Sequence, residues 1–187
     1  MQEYQDLLTE MKQEFPDFEL VYKVDSKLMK AINLFLMLLS FGTNKAFMTE
    51  FVTTVKNKVY LNSGWDKYTD KTKCILLRHE RVHMRQAKRL GFYWFSFLYL
   101  LVFLPIGFAY YRAKFEQEAY EESLRAIYEY HGPRVLQSKS NKEFTTNLFT
   151  GPAYGWMFPF KSKVDQWYDQ AVNKIMQENN NIDNNQL

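Results

Sequence analysis

From Gly91 to Tyr111 the chain runs for 21 residues, GFYWFSFLYLLVFLPIGFAYY, without a charge, and Lys88, Arg89, Arg112 and Lys114 flank the run. A straight helix of about 20 residues rises about 30 Å, the thickness of the hydrocarbon core of a bilayer, so the run is long enough to cross one. A single crossing would put the segments before and after it on opposite sides of a membrane. Any chemistry shared by those two segments therefore decides how the run can fold.

The segment before the run carries His79-Glu80-Arg81-Val82-His83 within a stretch, Asp70 to about Leu90, that reads as a helix with Asp70 as its cap and Gly91 as its stop. Two histidines four apart lie about 40° apart around a helix, so both imidazoles can reach one tetrahedral zinc ion. Glu80, one position on, stands near the metal but off the ligand direction, where a carboxylate can take a proton from zinc-bound water. The same five residues also fit an exposed, charged helix face. The apolar run Cys74-Ile75-Leu76-Leu77 just ahead favours a helix partly buried in a core.

A zinc site needs a third protein ligand. The segment after the run, Arg112 to Tyr130, reads as a second long helix closed by His131-Gly132-Pro133, and its stretch Phe115-Glu116-Gln117-Glu118-Ala119-Tyr120-Glu121-Glu122 offers carboxylates. If one of them joins the histidines, the run from 91 to 111 cannot cross a membrane once. It must turn back, and Pro105-Ile106-Gly107 supplies a break. Two readings remain: an insertion packed on the core, and one that dips into a bilayer.

The rest of the chain is that of a folded protein. Its 187 residues are 47% hydrophobic and 24% charged, with 16 Phe, 13 Tyr and 4 Trp, enough to bury a core. The formal charge of +3 is too small for a field that holds a polyanion, so nucleic acid is excluded as an expected partner. The lone Cys74 permits no internal disulfide, and MQEYQDLLTEMKQEF at the start lacks the order of a secretory signal, so a reducing compartment is expected. Residues 3–14 and 26–41 read as helices, the second capped at Asp25-Ser26 and apolar enough to suit a buried helix. Residues 46–62 read as a strand pair turning at Lys56-Asn57-Lys58. Residues 138–148 are polar, 151–160 form an aromatic loop, and 162–178 make a last amphipathic helix before an Asn-rich tail.

The stretch HERVHMRQ, the following FEQEAY and the YLN segment before the motif together resemble the gluzincin class of zinc metallopeptidases in its minimal form, over about residues 43–130. FEQEAY is similar to the E-x-x-A-D ligand segment of the membrane-bound prenyl-protein peptidase family and to the E-x-E-A segment of small phage and bacterial metallopeptidase-like proteins. The resemblance implies His79 and His83 as ligands, Glu80 as general base and a glutamate of the second helix as third ligand. An E-x-x-A register makes that glutamate Glu116, with Tyr120 one turn on as its outer partner; the other register makes it Glu118, with Glu122 behind it. Two positions depart from the pattern: Arg81 is charged, and Tyr120 stands where the prenyl-protein family has aspartate.

The expected fold is therefore α+β and mainly helical, a minimal gluzincin-like domain over 1–178 with a small β-sheet and a hydrophobic insertion between the two metal-bearing helices, followed by a disordered tail over 179–187. The expected activity is zinc-dependent hydrolysis of a peptide or protein substrate in the cytoplasm, with membrane contact through residues 91–111 as the alternative placement. Tyr154 is a candidate hydrogen-bond donor to the oxyanion, or else one aromatic among several packing its loop. The rival functions are a membrane-associated interaction protein and an inactive zinc-binding protein of the same fold.

Overall fold

The computed structural model describes residues 2–39, 46–100, 109–151 and 157–184. The fold is α+β and mainly helical, with one three-stranded sheet. The chain divides into two compact units, Met1–Arg89 and Leu90–Leu187. Among the described residues no helix is long and apolar enough to cross a membrane.

In the first unit, helix α1 (Gln2–Glu14) leads into strand β1 (Glu19–Tyr22). A 3-10 turn and helix α2 (Lys27–Leu39) follow, then a short α3 (Ala46–Thr49), strands β2 (Thr53–Val55) and β3 (Lys58–Leu61), and helix α4 (Asp70–Leu90). The expected hairpin forms between β2 and β3, with Lys56 in the left-handed region at φ 56° as its tight turn requires. Residues 46–49, expected as strand, are helical instead. Sequence reading also passed over β1, which pairs parallel to β3 and gives the order β1-β3-β2. The core of this unit takes Leu7, Met11 and Phe15 from the start of the chain, Met29 from α2, Val59 and Leu61 from β3, and Cys74, Leu77 and Met84 from α4.

Helix α2 is not the buried helix its composition suggests. Met29 is sealed, but Leu28, Leu34, Phe35 and Leu38 face solvent. Its cap is as expected, the Ser26 hydroxyl accepting from Met29 N at 3.3 Å. Helix α4 is capped by Thr69 rather than Asp70: Thr69 Oγ1 accepts from Thr72 N at 3.2 Å, which leaves Asp70 in the first turn where the helix dipole favours a carboxylate. Gly91, at φ +81°, ends the helix in a conformation that a side chain would strain.

In the second unit, helix α5 (Phe92–Leu100) opens the apolar run. The proposed break at Pro105-Ile106-Gly107 lies outside the described residues. Helix α6 (Tyr110–His131) ends at Gly132, again with positive φ, and α7 (Pro133–Leu136) starts on the proline. Residues 138–148, read from sequence only as polar, fall largely within helix α8 (Lys139–Thr150), with the Ser138 hydroxyl accepting from Asn141 N at 3.2 Å. Helix α9 (Lys161–Asn184) carries on through part of the Asn-rich stretch expected to be disordered. One cluster packs Leu124 and Leu136 against Tyr168, Val172 and Ile175; a second gathers Ala113, Phe149, Met157 and Val164.

Candidate metal centre

Helix α4 carries two stripes of opposite character at the same spacing. His79, His83 and Gln86 stand at i, i+4 and i+7 and are buried, as is Glu80. Arg81, Arg85 and Lys88 repeat that spacing two residues later, which turns them about 200° around the helix. They serve α1 and the residue after it. Arg81 Nε and Nη1 donate to Glu14 and Glu10 at 2.7 and 2.9 Å, Arg85 Nε donates to Glu14 at 2.6 Å, and the Lys88 ammonium lies 5.4 Å from the centre of the Phe15 ring. The charge at position 81, a departure from the resembled pattern, is thereby spent on the far side of the helix from the histidines.

The two imidazoles meet at their Nε2 atoms, 3.2 Å apart, with ring centres 4.9 Å apart. A tetrahedral zinc with bonds of about 2.0–2.1 Å holds two ligand nitrogens about 3.3 Å apart, so the spacing fits one ion held by both. The tautomer fits as well. His83 Nδ1–H donates to Gln86 Oε1 at 2.9 Å, and this keeps the proton on Nδ1 and the lone pair on Nε2, the state a metal requires. Gln86 is 1% exposed, and sequence reading gave it no role beyond its place in HERVHMRQ.

Glu80 is buried in the same helix face. Among its described residues the unit buries one further charge, Lys23 at the β1–α2 junction, whose Nζ donates to Phe47 O at 2.7 Å and lies 3.8 Å from the Phe47 ring centre. Burial lowers the Lys23 ammonium to about 8, and the negative charge of Glu80 opposes that fall.

In the second unit the two candidate glutamates separate cleanly. Glu116 is 1% exposed, while Glu118, about 200° away around α6, faces solvent. Tyr99 of α5 donates its hydroxyl hydrogen to Glu116 Oε1. Phe95, one turn before Tyr99, packs on Phe115 at 5.1 Å between ring centres, and the Arg112 guanidinium lies 5.0 Å from the centre of the Tyr99 ring. The outer partner of Glu116 thus comes from the apolar run. Tyr120, the outer partner expected from sequence, packs on Phe149 at 5.5 Å between ring centres. Tyr154 lies outside the described residues. Cys74 is buried, as its apolar setting implies, and His131 stands exposed in the last turn of α6.

No protein-family model, no curated protein and no solved structure matches this chain.

Proposed function

We propose that the chain is a zinc-dependent peptidase in which His79, His83 and Glu116 hold the metal and Glu80 is the general base. The observation that carries this reading is the donor set. His79 and His83 are buried in the first unit with their Nε2 atoms 3.2 Å apart, and Glu116 is buried in the second. Two imidazoles and one carboxylate suit zinc and leave a fourth position open. Zinc bound there would polarise a peptide carbonyl and make water acidic near neutral pH.

The rest of the chemistry falls to this chain. Glu80 takes the proton of the attacking water and returns it to the departing amine; its burial beside His79 keeps bulk water from competing for that proton. Gln86 holds His83 in its ligating tautomer, and Tyr99 donates to one oxygen of Glu116. Strand β3 is paired on both sides, so an extended substrate would pair with the outer edge of β2, Thr53–Val55.

The working place is proposed as the cytoplasm, at a membrane surface met through residues 91–111. The exposed Tyr93, Trp94 and Phe97 of α5 support that contact.

The test is metal content together with turnover. The purified chain should carry about one zinc, and Glu80→Gln should keep it while losing at least about a hundredfold in hydrolysis of a peptide library. Absence of zinc after refolding with excess metal would overturn the site. A Glu80→Gln variant within about tenfold of the parent would overturn the base, and zinc without turnover in the parent would make the chain an inactive zinc-binding protein.

A further inference from the structure

Helix α2 is apolar over most of its length and spends little of that on the core. Leu28, Ala31, Phe35 and Leu38 recur at i, i+3, i+7 and i+10, with Leu34 at the margin, so they form one stripe about 120° wide, and all five are exposed. Leu38 is 69% exposed and Leu34 59%, whereas Met29, about 200° from Ala31, is fully buried. The helix is two-sided: Met29 is buried on one side, and the other exposes Leu28, Leu34 and Leu38. A patch of this kind marks a docking surface.

Charge selects the occupant. Lys27 and Lys30 stand exposed in the first turn, Lys27 within the stripe and Lys30 about 40° outside its Leu34 edge. From Ser26 to Thr49 the sequence has three lysines and no acidic residue. A second copy of this chain would set like charges together across a two-fold axis, with no carboxylate in the helix to answer them. An anionic bilayer surface answers both features at once: acyl chains take the leucines, and phosphate or carboxylate headgroups take the lysines. Lys27–Leu39 spans about 20 Å, and among the described residues no helix is long and apolar enough to cross a membrane, so the proposal sets α2 in the interface.

We propose that α2 is an interfacial docking helix for anionic lipid, seated through Leu28, Ala31, Leu34, Phe35 and Leu38 with Lys27 and Lys30 on the headgroups. It extends to the first unit the membrane contact read for residues 91–111, and it does not depend on the zinc reading.

The experiment is co-sedimentation of the full chain with vesicles of phosphatidylcholine alone and of phosphatidylcholine with phosphatidylserine. Serine-lipid vesicles should bind the parent at least about tenfold better, and added salt should reduce that binding. Leu28→Ser/Leu34→Ser/Leu38→Ser should lose at least about tenfold in partitioning, and each of Lys27→Gln and Lys30→Gln about fivefold. Parent-like binding by the triple variant would overturn the α2 assignment. If Tyr93→Ser/Trp94→Ser/Phe97→Ser alone then abolished binding, the contact through residues 91–111 would still stand. Equal binding to both vesicle types would overturn the headgroup recognition.

Should the triple variant fail to fold, Leu34→Cys labelled with nitrobenzoxadiazole keeps the test open, because Cys74 is buried. A blue-shifted, brighter emission on serine-lipid vesicles is expected, and an unchanged spectrum overturns the proposal. Self-association through α2 with no vesicle binding would assign the stripe to a second copy and overturn it as well.

Discussion

His83 is fixed at both ring nitrogens, Nδ1 by Gln86 and Nε2 by its approach to His79, and this is where a small change should act most strongly on the metal. Gln86→Leu keeps the bulk and removes the acceptor, so the expected result is a fall in zinc affinity of at least about tenfold with the fold intact. Titration against a competing chelator measures it, and Glu116→Ala should cost at least as much in the same assay. Glu118→Ala should stay near the parent, because position 118 faces solvent. A reversal of the two glutamates would move the ligand. The histidine pair was legible in the sequence because helical spacing alone puts i and i+4 on one face. Gln86 was harder to see, since a glutamine three residues on is an ordinary helix residue. Tyr99 was not legible at all: it lies in an apolar run, 17 residues from its partner, and no local pattern links a tyrosine to a carboxylate at that distance.

Among the elements, those with strong punctuation were read closely. Helix α4 was expected from Asp70 to about Leu90 and runs Asp70–Leu90, and α6 stops at the expected His131-Gly132-Pro133, because a glycine at positive φ leaves little freedom about where a helix ends. Strand β1 was missed for a different reason. Four residues, Glu19–Tyr22, carry too short an alternation to announce a strand, and its partner β3 lies 39 residues along the chain. Helix α8 was hidden by its polar composition, although Ser138 stood in the cap position. Its stability rests on few buried groups, chiefly Thr145, Thr146 and Phe149, so the cap should matter. Ser138→Ala is expected to destabilise the chain by about 1 kcal/mol, and Ser138→Gly by only a few tenths, in urea unfolding. Equal effects of the two substitutions would mean that the hydroxyl does not hold the helix.

At the scale of the whole molecule, three strongly perturbed groups dominate how stability varies with pH. Glu14 is lowered from 4.5 to about 2, first by its hydrogen bond from Arg85 and then by Arg81, so its contribution is complete above about 4.5 and is lost as pH falls towards 2. Lys23 runs the other way in pH. Burial lowers its ammonium from 10.5 to about 8, so between those values the unfolded chain holds a proton that the folded chain does not. Stability must therefore rise with pH across that window, by about 1 kcal/mol per pH unit for one proton. Tyr168 ends the rise. Burial lifts its phenol from 10.0 to about 12 against the hydrogen bond from Asn141, so above about 10 the unfolded chain loses a proton that the folded chain keeps, and stability falls. Tyr4, Tyr22 and Lys58 are raised too, from 10.0, 10.0 and 10.5, and act in that same upper range, which leaves pH 8 to 10 to Lys23. Urea unfolding of the intact chain at pH 7, 8, 9 and 10 should show a rising midpoint, an uncommon alkaline trend. Lys23→Met should abolish the rise and unfold at higher urea than the parent at pH 7, since it replaces a buried ammonium with an apolar chain of similar length. A parent midpoint that is flat or falling from pH 8 to 10 would mean that Lys23 keeps its proton in the fold, held there by the charge of Glu80.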